Sequence, residues 1–361
     1  MAQTWIRYGV GLDMSSADFM ATFVGQNEVE EIKIIAKRKF SNTPGGVEKF
    51  HQWVEKKAKN PDLPLRMVME VTGVYHENLL YHLVQWGYYV SLELGKRTKR
   101  YAQSLGLDTK TDPSDAYALA HLAVSRKLKR WKPITKAAYQ VRQVLRLRDE
   151  TVQTRGAFQN RLHSAQRAHY ADPGAIRSLK RTIKHLIEEE KRLEKQATEM
   201  VKKDPEVWGK INRIVKSLPG VGILTMLKIV LETNGFEAFR SAKQLTRYTG
   251  YDIIEKQSGA YKGKTKISKQ GNARIRKALY MPAMTHIRCS EGTIKQLYLR
   301  VLQRTGLTKK AQTAAQRKLL CLIFALWKSD QAYDPNYQHR HQPQKEGSSD
   351  RRQELHEIAP A

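Results

Sequence analysis

Two aspartates lie three residues apart at the start of a helix-like segment, in TDPSDAYALA at residues 111–120. Asp112 is a favourable helix N-cap, and Pro113 suits the first helical position because it has no N–H to leave unpaired. Asp115 follows one turn later, so both carboxylates can reach the same side of the helix near its N-terminus. This decapeptide leaves two interpretations open: a cap with an acidic first turn, or half of a metal site.

Two further acids stand at the ends of predicted strands. Asp13 ends the first strand in GVGLDMS, and Glu70 ends the apolar run RMVME. In a mixed sheet these two strands run side by side, so we expect their ends to bring the carboxylates together beside Asp112 and Asp115. Taken singly, Asp13 also fits a turn after a strand, and Glu70 fits a pairing with a nearby Arg or Lys.

Four carboxylates in one place repel one another unless cations neutralise them. Oxygen-only ligation selects Mg²⁺ or Mn²⁺ over zinc. Two such ions about 4 Å apart clamp the attacking and leaving oxygens of a phosphodiester in known enzymes. The acids therefore suggest metal-dependent chemistry on a phosphodiester.

The elements that must position these acids follow from hydrophobic periodicity. The pattern predicts two β-rich runs and a third strand, then helix, strand, helix and strand: residues 5–14, 18–25, 31–40, 44–59, 65–71, 75–87 and 88–94. Three antiparallel strands followed by β-α-β-α is the order of the ribonuclease H-like fold. Sugar-kinase and actin-like ATPases share that underlying fold, but the glycine-rich phosphate loop that they need is not found.

A helical and heavily charged region extends from about 137 to 203, with an interruption at DPG, residues 172–174. In its second half apolar residues recur at alternating three- and four-residue steps, with Glu190 as the one polar member: Ile176, Leu179, Ile183, Leu186, Leu193, Ala197 and Met200. This spacing predicts a coiled-coil seam of about four heptads. The seam fits self-association, which we favour, and also a hairpin packed within one chain.

A third region contains SLPGVGILTMLKIVLE at 217–232. This helix–Gly-Val-Gly–helix pattern resembles a helix-hairpin-helix and can present N–H groups to a phosphate, with Lys216 and Lys228 nearby, although it also fits an ordinary tight connection. Beyond Tyr333 the chain is polar, and we expect it to be disordered. The predicted divisions are a metal-dependent catalytic domain, a coiled coil, a third domain and a tail: 1–135, 136–204, 205–333 and 334–361.

The composition is strongly basic, with 64 Lys and Arg against 35 Asp and Glu and a formal net charge of +29. Because basic residues recur along most of the chain, an extended polyanion is a better partner than a small acidic substrate. No signal peptide, basic amphipathic anchor or long apolar run favours a membrane. The two cysteines, Cys289 and Cys321, predict neither disulfide nor zinc motif, which suggests a reducing, cytoplasmic setting.

Several motifs together resemble one family, the DEDD transposases of bridge-RNA-guided insertion sequences, which are related to Piv-type DNA invertases. The motifs occur in the family's order, over nearly the whole chain apart from the polar tail: GLD at 11–13, MEVTGVYHE at 69–77, KTDPSDAYALA at 110–120, LPGVG at 218–222, TRYTGYDIIEKQSG at 246–259 and KISKQGNARIRKALYMPAM at 266–284. The resemblance implies a RuvC-like N-terminal domain, in which Asp13, Glu70, Asp112 and Asp115 bind the metal.

The resemblance also implies a nucleophilic serine in the C-terminal transposase domain, in a Ser-Gly context that Ser258 matches. The residues just before it, EKQ, lack the aromatic often found there. Ser268 is the rival, although its place before KQGNARIRKAL suggests a helix N-cap. Basic residues around both serines are expected to bind nucleic acid: Lys262, Lys264, Lys266, Lys269, Arg274 and Arg276.

What the resemblance implies is an RNA-guided recombinase of a prokaryotic mobile element. A guide RNA would pair with target and donor DNA, Ser258 would form a phosphoserine, and the quartet of one protomer would meet the serine domain of another in a dimer or tetramer. Two alternatives stay open: a RuvC-like junction resolvase that uses water as the nucleophile, and a nucleic-acid-binding scaffold without chemistry.

Overall fold

The computed structural model describes residues 4–71, 73–107, 111–255, 257–259, 261–263, 265–289, 291–335 and 337. The chain divides into two compact units, Met1–Pro133 and Ile134–Ala361. Cys289 and Cys321 are both free thiols. Within the described residues no helix is long and apolar enough to cross a bilayer.

The first unit begins with three strands, followed by alternating helices and strands. Its elements are β1 (Trp5–Met14), β2 (Asp18–Asn27), β3 (Ile32–Ser41), α1 (Pro44–Lys57), β4 (Leu65–Glu70), α2 (Glu77–Gln85), β5 (Tyr89–Glu93), α3 (Gly95–Ser104) and α4 (Asp112–Ser125). These bounds agree with the predicted elements to within a few residues at each end.

One five-stranded mixed sheet organises this unit, in the order β3-β2-β1-β4-β5. β1, β2 and β3 pair antiparallel, whereas β4 and β5 run parallel to β1. A large core of α1, α2 and the sheet covers one face, with Leu12, Phe23 and Phe50 fully buried. Helix α4 packs on the other face. The predicted ribonuclease H-like topology is confirmed.

Two glycines of β1 let α4 lie directly on the sheet. A Cβ at Gly9 would lie 2.7 Å from Val124 Cγ1 and 2.8 Å from the carbonyl oxygen of Ala120. A Cβ at Gly11 would lie 2.8 Å from Leu119 Cβ and closer still to the α4 backbone. Any side chain at these positions would push the helix away, so the alternating glycines of GVGLD set its distance from β1.

The start of α4 differs from the prediction. Thr111, not Asp112, is the N-cap: its side chain accepts a hydrogen bond from Ser114 N, and Thr111 N donates one to Ser114 Oγ at 3.1 Å. Asp112 therefore occupies the first helical position. The prediction that Asp112 caps the helix was wrong. The hydroxyl groups of Thr111 and Ser114 instead accept hydrogen bonds from each other's backbone N–H groups, in the manner of a capping box.

The second unit is helical apart from two short ribbons. Its elements are α5 (Lys136–Gln166), α6 (Pro173–Lys202), α7 (Pro205–Ser217), α8 (Ile223–Thr233), α9 (Ala242–Thr249), β6 (Ile253–Ile254), β7 (Gln257–Ser258), β8 (Tyr261–Lys262), β9 (Lys266–Ile267), α10 (Ala273–Cys289), α11 (Thr293–Thr305) and α12 (Thr308–Ser329). β6 pairs with β9, and β7 pairs with β8.

Helices α5 and α6 form a long hairpin within the chain. Ile183, Leu193 and Ala197 of the predicted seam are buried there. The one polar seam residue, Glu190, receives hydrogen bonds from Arg155 at 2.5 and 3.4 Å. The seam therefore follows the second of its two interpretations, an intrachain hairpin, while self-association stays a prediction.

The α7–α8 connection is a tight turn between two helices, as both of its interpretations require, and phosphate binding there stays a prediction. Gly220 has a φ of +76°, and a Cβ there would lie 2.8 Å from Thr285 Cγ2 on α10, so a glycine is required by both backbone and space. Gly222 is the N-cap of α8. These helices pack into one core with α9, α10 and α12.

Candidate active site

The strand register brings two of the predicted acids side by side. β1 and β4 are paired up to Leu12 opposite Met69, so Asp13 and Glu70 are the next residues on the neighbouring strands. Gly11 and Val68 are paired on the α4 side of the sheet, and Asp13 and Glu70 lie two residues further, on the same side. The two carboxylates therefore share one end and one face.

Helix α4 brings the other two acids to the same place. Gly9 faces Ala120 and Val124, while Gly11, two residues later, faces Ala116 and Ala120. Each step of two residues along β1 thus corresponds to about one turn back along α4. One further step from Gly11 reaches Asp13 on the strand and the first turn of the helix, where Asp112 and Asp115 lie.

Glu70 is held in place by the start of α3. The hydroxyl of Thr98 donates a hydrogen bond to Glu70 Oε2 at 2.5 Å and also contacts the carbonyl oxygen of Gly95 at 2.9 Å. The other carboxylate oxygen, Oε1, lies so close to Gly95 that a Cβ at that position would collide with it. Thr98 and Gly95 therefore orient this carboxylate.

A fifth acid, Glu93, extends the row. It lies opposite Glu70 on β5 and is only 6% exposed. Burial raises the pKa of Glu93, while the charge of Arg97, whose Nη1 lies 2.9 Å from Glu93 Oε2, opposes that rise. Sequence reasoning missed Glu93 and Thr98. A glutamate at the end of the strand YVSLE was the available signal for the first, whereas Thr98 has none.

The donor set fits a hard divalent cation, since it consists of carboxylate oxygens supported by a hydroxyl. Among the residues that the structure describes, no three acidic, histidine or cysteine side chains converge closely enough to hold a metal ion. The acids thus share one end of the sheet, and a bound cation would have to draw their side chains together.

Ser258 lies in the second unit, at the end of β7 and opposite Tyr261 on β8. It is exposed, and the following Gly259 has a φ of +54°, which a tight hairpin turn favours. Tyr261 is also exposed, at 66%. The chain therefore presents this serine to solvent on a small β-hairpin.

The rival serine has a different environment. Ser268 is half-buried, and its hydroxyl donates a hydrogen bond to Asp252 Oδ1 while accepting one from Gln270 N at 3.3 Å. It does not cap α10: Asn272 does, by accepting from the amides of Arg274 and Ile275 at 3.0 and 3.3 Å. The prediction that Ser268 is the N-cap was wrong because the helix begins four residues later than expected.

The predicted nucleic-acid-binding residues fall into two groups. Lys216, Lys266, Lys269 and Arg274 are exposed. Lys228 is 15% exposed and forms an ion pair with Asp149 at 2.5 Å, and Arg276 donates to the carbonyl oxygen of Thr249 at 2.6 Å. Lys264 and the side chain of Lys262 lie outside the described residues. Lys228 and Arg276 therefore already have partners within the protein.

Comparison with known families gives two matches. A family model for DEDD transposases matches residues 10–171, and a model described as "Transposase IS116/IS110/IS902 family" matches residues 212–299. The first match includes Asp13, Glu70, Asp112 and Asp115, and the second includes Ser258. Together the two matches span more than half of the chain.

The chain also resembles characterised proteins along most of its length. It is 25% identical over 336 residues to the pilin gene-inverting protein of Moraxella bovis, covering 92% of this chain and 98% of that protein. The protein of the same name from Moraxella lacunata matches equally. The transposase for insertion sequence element IS1111A of Coxiella burnetii is 25% identical over 273 residues, covering 66% of this chain and 71% of that transposase.

Among solved structures, Thermus thermophilus RuvC matches at 13% identity and a TM-score of 0.25, covering 32% of this chain and 91% of RuvC. RuvC in complex with a Holliday junction substrate matches at 14% identity and a TM-score of 0.27, covering 34% and 99%. These scores are too low to support an inference, and the fold assignment rests on the strand order. From its two family matches, this chain belongs to the IS116/IS110/IS902 family of transposases and acts on DNA by cleaving and transferring strands.

Proposed function

We propose that Asp13, Glu70, Asp112 and Asp115 hold Mg²⁺ or Mn²⁺ and that this centre acts with Ser258 to cleave and rejoin DNA strands. The observation that carries the proposal is the placement of all four acids at one end of the sheet, two on adjacent strands and two on the first turn of α4. Bound there, divalent cations would stabilise the negative charge that develops on the phosphate and on the leaving oxygen.

In the proposed reaction, Oγ of Ser258 attacks the phosphorus of a scissile phosphodiester. A serine–phosphate bond forms, and the bond from phosphorus to the 3′-oxygen breaks. The serine proton passes to solvent, and the departing oxygen takes up a proton as a 3′-hydroxyl. The 3′-hydroxyl of a second strand then attacks the phosphoserine, restoring the serine and joining the strands without an external energy source.

The exposure of Ser258 supports its role over that of Ser268. A nucleophile must reach a phosphate on a large polymer, and Ser258 is exposed on the short β7–β8 hairpin. The hydroxyl of Ser268 is instead held by the Asp252 carboxylate. The Thr98 hydroxyl orients Glu70 and so acts as a positioning group for the acidic end.

RNA guidance and a shared active site complete the proposal. The net charge of +29 suits a protein that holds two kinds of nucleic-acid backbone and leaves sequence reading to base pairing. A dimer or tetramer would allow the acids of one protomer and Ser258 of another to act on one phosphate. The exposed cations Lys216, Lys266 and Arg274 would contact backbone phosphates.

The nucleophile is tested by trapping the covalent intermediate. With a DNA substrate and Mn²⁺, Ser258→Ala should abolish the protein–DNA adduct while RNA binding is retained, and Ser268→Ala is the matched control that should keep the adduct. If the adduct persists in Ser258→Ala and disappears in Ser268→Ala, the assignment is reversed. DNA cleavage without any adduct would instead indicate water as the nucleophile.

The shared site is tested by mixing two inactive variants. Asp13→Ala protomers mixed with Ser258→Ala protomers should recover part of the recombination activity if each supplies what the other lacks. Absence of recovery at every ratio would place the complete site within one chain. Sequencing of RNA that copurifies with the protein tests the guide, and a mixture without any defined structured RNA would contradict it.

A further inference from the structure

The outermost strand of the sheet, β3, carries lysines on the face that holds the acids. Lys39 pairs with Met20, and Met20 pairs with Asp13, so these three residues form one cross-strand row. Lys37 pairs with Thr22, which pairs with Gly11 in the next row. Since directly opposed residues of antiparallel strands share a face, Lys37 and Lys39 lie on the α4 side.

The same strand carries two cations on its other face. Arg38 lies between the two lysines, and its guanidinium carbon is 5.3 Å from the centroid of the Phe40 ring in the opposite core. A register shift between Phe23 and Val24 changes the alternation, so Lys33 pairs with Gly25, on the face where Trp5 packs. β3 therefore divides its four cations evenly between two faces.

The surroundings of Lys37 and Lys39 leave their charges available near the acids. Lys39 Nζ lies 2.7 Å from Asp18 Oδ2, yet 53% of its side chain is exposed. The hydrogen bond and charge of Asp18 raise the pKa of Lys39, and the charge of Asp112 adds to that rise. Lys37 Nζ lies 5.9 Å from the ring centroid of Tyr117 on α4.

We propose that Lys37 and Lys39 bind successive backbone phosphates of the DNA strand whose scissile phosphate lies at the acidic end. Neighbouring strands are about 4.8 Å apart, which puts the backbone of Lys39 about 10 Å from that of Asp13, within the reach of a lysine side chain and one nucleotide. Residues two apart on a strand are about 7 Å apart, similar to consecutive phosphates of an extended strand. The inference rests on the proposed placement of the chemistry at Asp13 and Asp112.

Lysines on an outer strand also discourage unwanted strand pairing, and that role is the main alternative. It does not depend on which face a lysine occupies, whereas phosphate binding beside the acids does. The two faces of β3 therefore provide a matched experiment within one strand.

The test compares two double variants of the full chain, Lys37→Gln/Lys39→Gln and Lys33→Gln/Arg38→Gln, each of which removes two positive charges. Binding of a labelled, mixed-sequence single-stranded oligonucleotide is measured without divalent cations at several salt concentrations. The first variant should reduce the magnitude of the slope of log affinity against log salt by about 0.7 per lysine on single-stranded DNA. With a duplex oligonucleotide the reduction should be about 0.9 per lysine. The second variant should leave the slope close to that of the wild type.

Equal slopes for the two double variants, whether changed or unchanged, would overturn the inference. Asp18→Asn adds a second measurement: by releasing Lys39 it should tighten binding, whereas a purely structural ion pair would lower thermal stability and leave affinity unchanged. Asp112→Asn separates this inference from the proposed function. Cleavage that survives Asp112→Asn contradicts the proposed metal centre and, with it, the position of the scissile phosphate on which the lysine pair depends. Cleavage lost in Asp112→Asn, together with equal salt slopes for the two double variants, contradicts the lysine pair alone.

Discussion

The acidic residues lie where a ten-residue strand, a six-residue strand and a long helix meet, whereas Ser258 lies in a hairpin of two-residue strands. The first region is fixed by close packing, since the Gly11 backbone touches α4 and Leu12 beside it is fully buried. The second region has exposed side chains on both strands. Core packing thus positions the acids, whereas among the described residues the pairing of β7 with β8 positions the serine.

This difference suggests a division of labour. Metal ligation needs carboxylates on separate elements to keep their mutual distances, which a packed sheet and helix provide. A nucleophile that must meet a phosphate held elsewhere needs access more than rigidity. Substitutions that disturb packing should therefore damage the acidic end strongly, and substitutions in the hairpin should alter chemistry without altering stability.

The largest effect is expected for Gly11→Ala. The added methyl group would collide with Leu119 and the α4 backbone, so the helix must shift and carry Asp112 and Asp115 with it. Overpacking of this kind typically costs about 1–3 kcal/mol, and we expect about 3 kcal/mol in urea unfolding, with loss of DNA cleavage.

Gly45→Ala is the control, because no atom lies within 4 Å of a Cβ there and the residue is in the first turn of α1. It should be neutral or stabilising by up to about 1 kcal/mol. Similar unfolding free energies for the two alanine variants would contradict the packing account of GVGLD.

The next effect concerns a buried ion pair in the second unit. Glu232 is 7% exposed and receives hydrogen bonds from Arg146 at 2.9 and 3.0 Å and from Asn272 at 2.9 Å. Glu232→Gln should cost about 2–3 kcal/mol at neutral pH, below the 3–5 kcal/mol typical of fully buried pairs because Arg146 is partly exposed.

The pH dependence of this loss has a definite sign. Burial alone would raise the pKa of Glu232, but the hydrogen bonds and charge of Arg146 with the Asn272 hydrogen bond outweigh it and lower that pKa. Its contribution is therefore full above the pKa of an unfolded glutamate, about 4.3, and is lost as the pH falls through the lower folded pKa. The stability difference between wild type and Glu232→Gln should shrink in acid, and a difference independent of pH would contradict this.

A smaller effect is expected when metal binds. Mg²⁺ at ten times its dissociation constant should stabilise the native state by about 1.4 kcal/mol, seen as a rise of a few degrees in melting temperature. Asp112→Asn should reduce this rise. Asp62→Asn, an exposed acid before β4, should keep it, and equal rises in both variants would argue against cation binding at the acidic end.

The smallest effect on stability is expected for Ser258→Ala. Because the residue is exposed in a short hairpin, its unfolding free energy should stay within about 0.5 kcal/mol of the wild type. The same variant should lose its DNA adduct entirely. A large loss of stability would show that the hairpin is a packing element, and the contrast with Gly11→Ala would fail.

Much of the first unit could be predicted because local patterns and tertiary structure agree there. The β-rich run WIRYGVGLDM and the helical spacing around Phe50 and Trp53 predicted these elements, and their order predicted the sheet. The acids at the ends of β1 and β4 followed from that order. The place of Glu93 beside these acids could not be predicted, because it depends on the register that pairs Glu93 with Glu70.

Caps and charge pairs were harder to predict. Thr111 replaced Asp112 as the cap because these neighbouring polar residues compete for the same free amides, whereas Asn272 replaced Ser268 because α10 begins four residues later than expected. Lys228 was predicted to contact a phosphate because it lies near PGVG in the sequence. It instead forms an ion pair with Asp149, on a helix far from it in the sequence. Such long-range partners leave no local signal in the sequence.

The ion pair of Arg155 and Glu190 has a consequence for how α5 and α6 come together. An apolar seam alone could slide by one heptad and still bury leucines, but a slipped register would leave Glu190 enclosed without its guanidinium partner. The pair thus fixes the register of α5 against α6. Deleting or inserting a few residues in either helix, between this pair and the loop, would move the two charged side chains out of contact. This would hold even where the hydrophobic pattern is preserved.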